Sequence, residues 1–137
     1  MSVITVKIAE VQEDMRLVFG WGSICTKRDE SGVFVQYRDT DGDEFDEKVT
    51  TEGWLDYAKG DRVLDSMHDE KRVGVVPFIF PMTQDVAKSL GMLDALQQTG
   101  ILVGAYIEDD QILADFKSGK LKAFSMGGAA QFEELPE

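Results

Sequence analysis

The chain opens on Val3-Ile4-Thr5-Val6-Lys7-Ile8, where β-branched residues and partial alternation predict a strand. A second apolar run, Leu17 to Cys25, predicts a buried strand. Its glycines, Gly20 and Gly22, predict a bulge or a close backbone approach, because a strand residue without a side chain leaves room for one. Val33–Tyr37 and Glu44–Val49 flank Asp41-Gly42, a dipeptide of tight hairpin turns, and predict a pair of strands around it. From Thr51 the period changes: Trp54, Leu55 and Ala58 fall on one face of a helix.

The second half alternates the two periods. Val73 to Phe80 predicts a strongly apolar strand, and Pro77 inside it predicts an edge or a bulge, since proline donates nothing to a ladder. Thr83 to Leu90 predicts a short helix capped by Thr83 and stopped at Gly91. Ile101 to Ile107 predicts a strand, Asp109 to Lys117 a helix ended by Gly119, and Leu121 to Met126 a last strand. This order lacks the regular strand–helix alternation of a doubly wound sheet. It predicts an α+β fold: a mostly antiparallel sheet or barrel with about three short flanking helices, in one domain over residues 1–137.

Composition narrows the class. The chain is 43% hydrophobic and 29% charged, as an ordinary globular domain is. It has no apolar run of the ~20 residues that cross a bilayer, and no basic-then-apolar leader. A single cysteine, Cys25, excludes an internal disulfide framework. The 26 acidic and 14 basic residues give a net charge of −12, and the densest cluster, Asp39 to Glu47, is acidic. Nucleic-acid binding draws its affinity from Lys and Arg on phosphates, so this chain is read as binding neither nucleic acid nor membrane.

Four groups of residues could carry chemistry. Asp39-Thr40-Asp41-Gly42-Asp43 resembles the start of a calcium loop. Counted from Asp39, however, glycine comes at the fourth position instead of the sixth, and Thr50 stands where the bidentate Glu belongs. Cys25 ends an apolar strand and reads as packing, with no neighbouring base to form a thiolate. One His and one Cys cannot make an ordinary zinc site, which leaves His68, in Met67-His68-Asp69, as a surface or packing residue or a general base. Ser125, in Ala123-Phe124-Ser125-Met126-Gly127-Gly128, marks a strand end or is a nucleophile with small residues beyond it. Ala123 stands where an esterase elbow needs glycine, which disfavours a small esterase.

Taken in order, Gly20-Trp21-Gly22, Asp41-Gly42-Asp43, Met67-His68 and the stretch Ser118 to Gly128 resemble the XkdF-type serine proteases of tailed phages and prophages. These are relatives of the prohead maturation proteases, similar in fold to the herpesvirus assemblin. The resemblance runs from about Val18 to Ala130 and is most specific at Ser118–Gly128. It implies a serine endopeptidase with Ser125 as nucleophile, His68 as base and no metal or cofactor. The implied substrates are the scaffold and the capsid-protein extension, cleaved inside the procapsid in the host cytoplasm, with homo-oligomerisation left open. Backbone amides around Met126 to Gly128 are candidate oxyanion donors.

The third member is a carboxylate or absent, with Asp43, Asp65, Glu133 and Glu134 as candidates. The family often has a glutamate in the strand after the histidine, where this chain has Val75-Val76-Pro77-Phe78. Such proteases tend to place the third catalytic residue on a strand well beyond the serine, and only twelve residues follow Ser125 here, which raises a truncated or self-processed form. The alternative is a non-catalytic capsid-assembly or scaffold-binding module with the same fold, in which Ser125 and His68 need not meet.

Overall fold

A computed structural model describes residues 4–39, 42–66, 71–121, 123–127 and 129–133. Strands β1 (Ile4–Gln12), β2 (Leu17–Arg28), β3 (Phe34–Gln36), β4 (Val63–Ser66), β5 (Arg72–Met82) and β6 (Gln98–Ile107) form an antiparallel open sheet. The long strand β2 organises it: Leu17–Trp21 pair with β1 and Thr26–Arg28 with β3, while nearly its whole length pairs with β6 on the other side. Beyond β6 come β5 and then β4. Three helices, α1 (Glu47–Ala58), α2 (Gln84–Ser89) and α3 (Asp110–Ser118), complete an α+β fold. No helix among the described residues is long and apolar enough to cross a membrane.

Two late strands extend the sheet. The chain forms β7 (Ala123–Gly127) and β8 (Ala129–Glu133), an antiparallel pair. On its outer edges β7 pairs antiparallel with β1, and β8 pairs parallel with β4. The sequence reading foresaw β7 and not β8.

The two faces of the central strands differ. Val18, Ile101, Val103, Ala105 and Ile107 are buried on the face toward α1 and α3, whose Trp54, Leu113 and Phe116 join the same core as Leu64 and Val76. The opposite face carries three cross-strand rows over β2, β6 and β5: Leu17–Tyr106–Val75, Phe19–Gly104–Phe78 and Trp21–Leu102–Phe80. Gly104 lies beneath the rings of Phe19 and Phe78, whose centroids are 6.4 Å apart, and a Cβ there would meet Phe19 Cε1 at 2.7 Å.

Local signals place the helix ends. Thr83 caps α2 by accepting the Val86 amide, and Asp109 caps α3 by accepting the Ile112 amide. Gly119 closes α3 at φ 82°, a left-handed conformation that suits glycine. Pro77 falls where the β5–β6 register slips between Val75 and Phe78, so the bulge reading holds, and the β4 pairing on the other side of β5 ends at Val75. Gly22 likewise sits in a register slip, between Trp21 and Ser23.

The expected second strand of the hairpin, Glu44–Val49, is a correction. Only Glu44 pairs, in an isolated bridge with Arg38, and α1 begins at Glu47, four residues before Thr51. The carboxylate of Asp46 accepts the Val49 amide at 3.0 Å, which caps a helix where alternation alone predicted a strand.

Candidate active site

Strand pairing fixes where Ser125 sits along the sheet. On β7 it registers with Thr5 of β1 on one side and Gln131 of β8 on the other. Gln131 in turn registers with Asp65 of β4, and Asp65 with Arg72 of β5. One row therefore runs Thr5–Ser125–Gln131–Asp65–Arg72 across five strands. At about 4.8 Å per strand step, the Ser125 and Asp65 backbones are about 9.5 Å apart.

Asp65 is half-buried beside the end of α1. Tyr57 donates its hydroxyl to the Val63 carbonyl at 3.2 Å. Burial, with the Asp65 charge adding to it, raises the Tyr57 pKa well above the usual phenol range, so the ring stays a neutral donor. At the end of the row Arg72 donates to Glu108 at 2.9 Å across a half-exposed ion pair. That bond, then the charge of Glu108, with smaller contributions from Asp61 and Asp65, raises the pKa of a guanidinium that is already cationic.

The other sequence-derived candidates fall as follows. Asp43 is exposed in the loop after β3, where its amide donates to the Asp39 carboxylate at 2.8 Å. Glu133 registers with Ala123 on the β7–β8 pair, two residues from the Ser125 row. Met126 registers with both Ile4 and Ala130, so its backbone lies between two ladders, and Gly127 registers with Ala129. His68, Glu134 and Gly128 lie outside the described residues. Chain order alone puts His68 two residues after the end of β4.

Cys25 is fully buried, and that burial is the main cause of a thiol pKa pushed up to about 11, which suits packing rather than nucleophilic chemistry. No group of three His, Cys, Asp or Glu side chains among the described residues could hold a metal ion.

Two features were not anticipated. At the start of α1 the Glu47 carboxylate accepts the Thr99 hydroxyl at 2.7 Å and the Gln84 amide at 2.8 Å. Thr99 Oγ1 also lies 2.5 Å from Thr26 Oγ1. Because the Thr99 proton goes to the carboxylate, Thr26 is the donor in that second bond. An acid four residues before Thr51 gave no sign of this role, since its partners come from α2 and β6. The second feature is an apolar cleft of about 150 Å³ lined by Trp54, Leu55, Ala58, Ile79, Pro81 and Ile101. Trp54, Leu55 and Ala58 do share a face, as their spacing predicts, and it forms one wall of this cleft. The cleft is remote from the Ser125 row: Arg72 and Pro81 stand at opposite ends of β5, about 30 Å apart along the strand.

No protein-family model, curated protein or solved structure matches this chain.

Proposed function

We propose that this protein is a serine endopeptidase of the prohead-maturation kind. In this reading Ser125 Oγ attacks a peptide carbonyl. His68 accepts the hydroxyl proton and returns it to the leaving amine, and Asp65 holds the imidazole. The row that joins Ser125 to Asp65 through Gln131 carries the reading. About 9.5 Å between backbones is too far for a hydroxyl and a carboxylate to bond directly, and it leaves room between them for an imidazole, which with one hydrogen bond of ~2.8 Å on each side spans roughly 8 Å from oxygen to oxygen. The histidine that follows β4 by two residues is the only one in the sequence. Asp43 and Glu133 lie outside that row, which favours Asp65 as the acid.

Support for the fold comes from β1, which pairs with β2 on one edge and β7 on the other. With β8 joined to β4, this order is consistent with a closed barrel of the assemblin type. The substrates in this reading are the scaffold and the amino-terminal extension of the capsid protein, cut inside the procapsid without metal or cofactor.

The test is co-expression with the cognate scaffold and capsid protein, with products read by mass spectrometry. The unmutated chain trims both proteins, and Ser125→Ala abolishes trimming. His68→Ala loses nearly as much, and the double variant little more, because the two groups act in one proton-transfer unit. Trimming that persists in Ser125→Ala with host proteases absent rejects the serine mechanism. Co-purification of scaffold with a chain that never cuts it selects the assembly module instead.

A further inference from the structure

We propose that the open edge of β5 at Ile79 and the apolar cleft beside it form one peptide-binding site, which takes an extended segment carrying a leucine-sized apolar side chain. The site begins with a mismatch in strand length. β5 has 11 residues and β4 only 4, and their pairing ends at Val75. Past that point β5 keeps β6 on one side and no strand among the described residues on the other. Two bonds fix which way the backbone points along this edge. Val73 accepts the Glu108 amide from the β6 side, and Val76 donates its amide to the Arg62 carbonyl on the β4 side at 2.9 Å. The bulge between Val75 and Phe78 adds one residue to β5. Alternation beyond it turns the backbone groups of Phe78, Phe80 and Met82 toward β6, and those of Pro77, Ile79 and Pro81 toward the open edge. The two prolines agree with this count, since they lack an N–H and stand where the ladder needs none. Arg62 takes the Pro77 carbonyl at 3.3 Å. Between the two prolines, Ile79 alone offers this edge both an N–H and a C=O.

The pleat joins that backbone pair to the cleft. Residues directly opposite each other on neighbouring strands send their side chains to the same face. Ile79 registers with Val103 and packs on the same core, so a residue paired with Ile79 also sends its side chain to the α1 side. There the cleft opens between Ile79 and Pro81 of β5 and the Trp54, Leu55 and Ala58 face of α1. Its volume of about 150 Å³ is that of a cavity that accepts benzene, enough for one Leu, Met or Phe side chain. Leu55, 50% exposed, stands at the rim and is covered by such a segment. Backbone pairing and a side-chain pocket thus meet on one residue of the incoming chain, the combination by which strand addition gains both affinity and specificity. A small apolar molecule fills the cleft equally well but leaves the Ile79 N–H and C=O without partners, which favours the peptide. The prolines keep the segment short, because a longer strand meets two missing donors. The site is remote from the Ser125 row and stands whether or not that row is catalytic.

An amide-resolved NMR titration of the full chain with the capped peptide Ac-Thr-Thr-Leu-Thr-Thr-amide tests the proposal. The Ile79 amide and the signals of Leu55 and Ala58 shift together and saturate. Replacing the peptide leucine by glycine weakens binding at least about tenfold. N-methylation of that leucine keeps its side chain and removes only the N–H offered to the Ile79 carbonyl, and weakens binding about fivefold. Ala58→Phe fills the cleft and abolishes binding, whereas Val49→Glu, at a 65% exposed position on α1, leaves it unchanged. Circular dichroism of each variant keeps loss of binding separate from loss of fold, and the N-methylated peptide decides on the unmutated chain if Ala58→Phe does not fold. Shifts around the cleft with toluene and none with the peptide assign a pocket for small molecules and overturn the proposal. So does a peptide without effect up to its solubility limit, equal binding of the N-methylated peptide, or an Ile79 signal that follows protein concentration instead of peptide, which assigns the edge to a second copy.

Discussion

Trp54 donates its indole N–H to Ser23 Oγ at 2.9 Å, and the ring that makes this bond lies over Gly22, one residue earlier on β2. The hydrogen bond satisfies the one polar atom of a residue only 5% exposed. Helix α1 is thereby pinned to the bulge of the central strand, and its apolar face is committed to the core.

Gly22→Ala is expected to destabilise the protein by about 1–3 kcal/mol, the usual cost of forcing extra volume into a packed core. Its Cβ would stand 2.5 Å from Trp54 Cζ2 and 3.0 Å from Val103 Cγ1. Urea unfolding followed by tryptophan fluorescence measures the loss. Gly53→Ala, whose Cβ would meet nothing within 4 Å, is the control and should not destabilise. Equal stability of the wild type and Gly22→Ala would show that the indole does not rest on β2.

Glu47 joins three elements through Thr99 and the Gln84 amide. Thr99→Val leaves the Thr26 hydroxyl without its acceptor and Glu47 with one partner fewer, and is expected to cost about 1–3 kcal/mol. Glu47→Ala should cost a similar amount. The double variant should lose less than the sum, with a coupling of about 0.5–3 kcal/mol, because both changes break the same bond. A thermodynamic cycle from chemical denaturation reads this directly, and strict additivity would remove Thr99 from the network.

Cys25 gives the pH dependence. Burial keeps its thiol protonated up to about 11, against an ordinary value near 9. The folded state therefore holds the proton that the unfolded chain releases first. Its contribution to stability is complete below pH 9 and is lost as pH rises from about 9 to about 11. Cys25→Ser should flatten that part of the stability curve. Alkylation at pH 8 should be slow in the folded protein and fast in denaturant, and rapid labelling of the native chain would contradict the burial.

Much of the fold is written locally. Thr83 with Gly91 and Asp109 with Gly119 bracket their helices because caps and left-handed glycines act within one turn. The bulges at Gly22 and Pro77 follow from one missing side chain and one missing donor. The packing role of Cys25 was legible in the same way.

What the chain could not announce depends on contacts between distant residues. Glu44–Val49 alternates like a strand, yet Asp46 caps a helix there, and the carboxylate of Glu47 in its first turn finds Thr99, 52 residues away. Asp43, Asp65, Glu133 and Glu134 were all candidate acids in the sequence, and the register of Asp65 with Ser125 through Gln131 exists only because of strand β8, which was unforeseen. Phe78 and Phe80 belong to a run that reads as buried, and only the side on which α1 packs leaves them open. Periods and caps are properties of neighbouring residues, whereas register and the choice of covered face are decided when the whole sheet closes on its core.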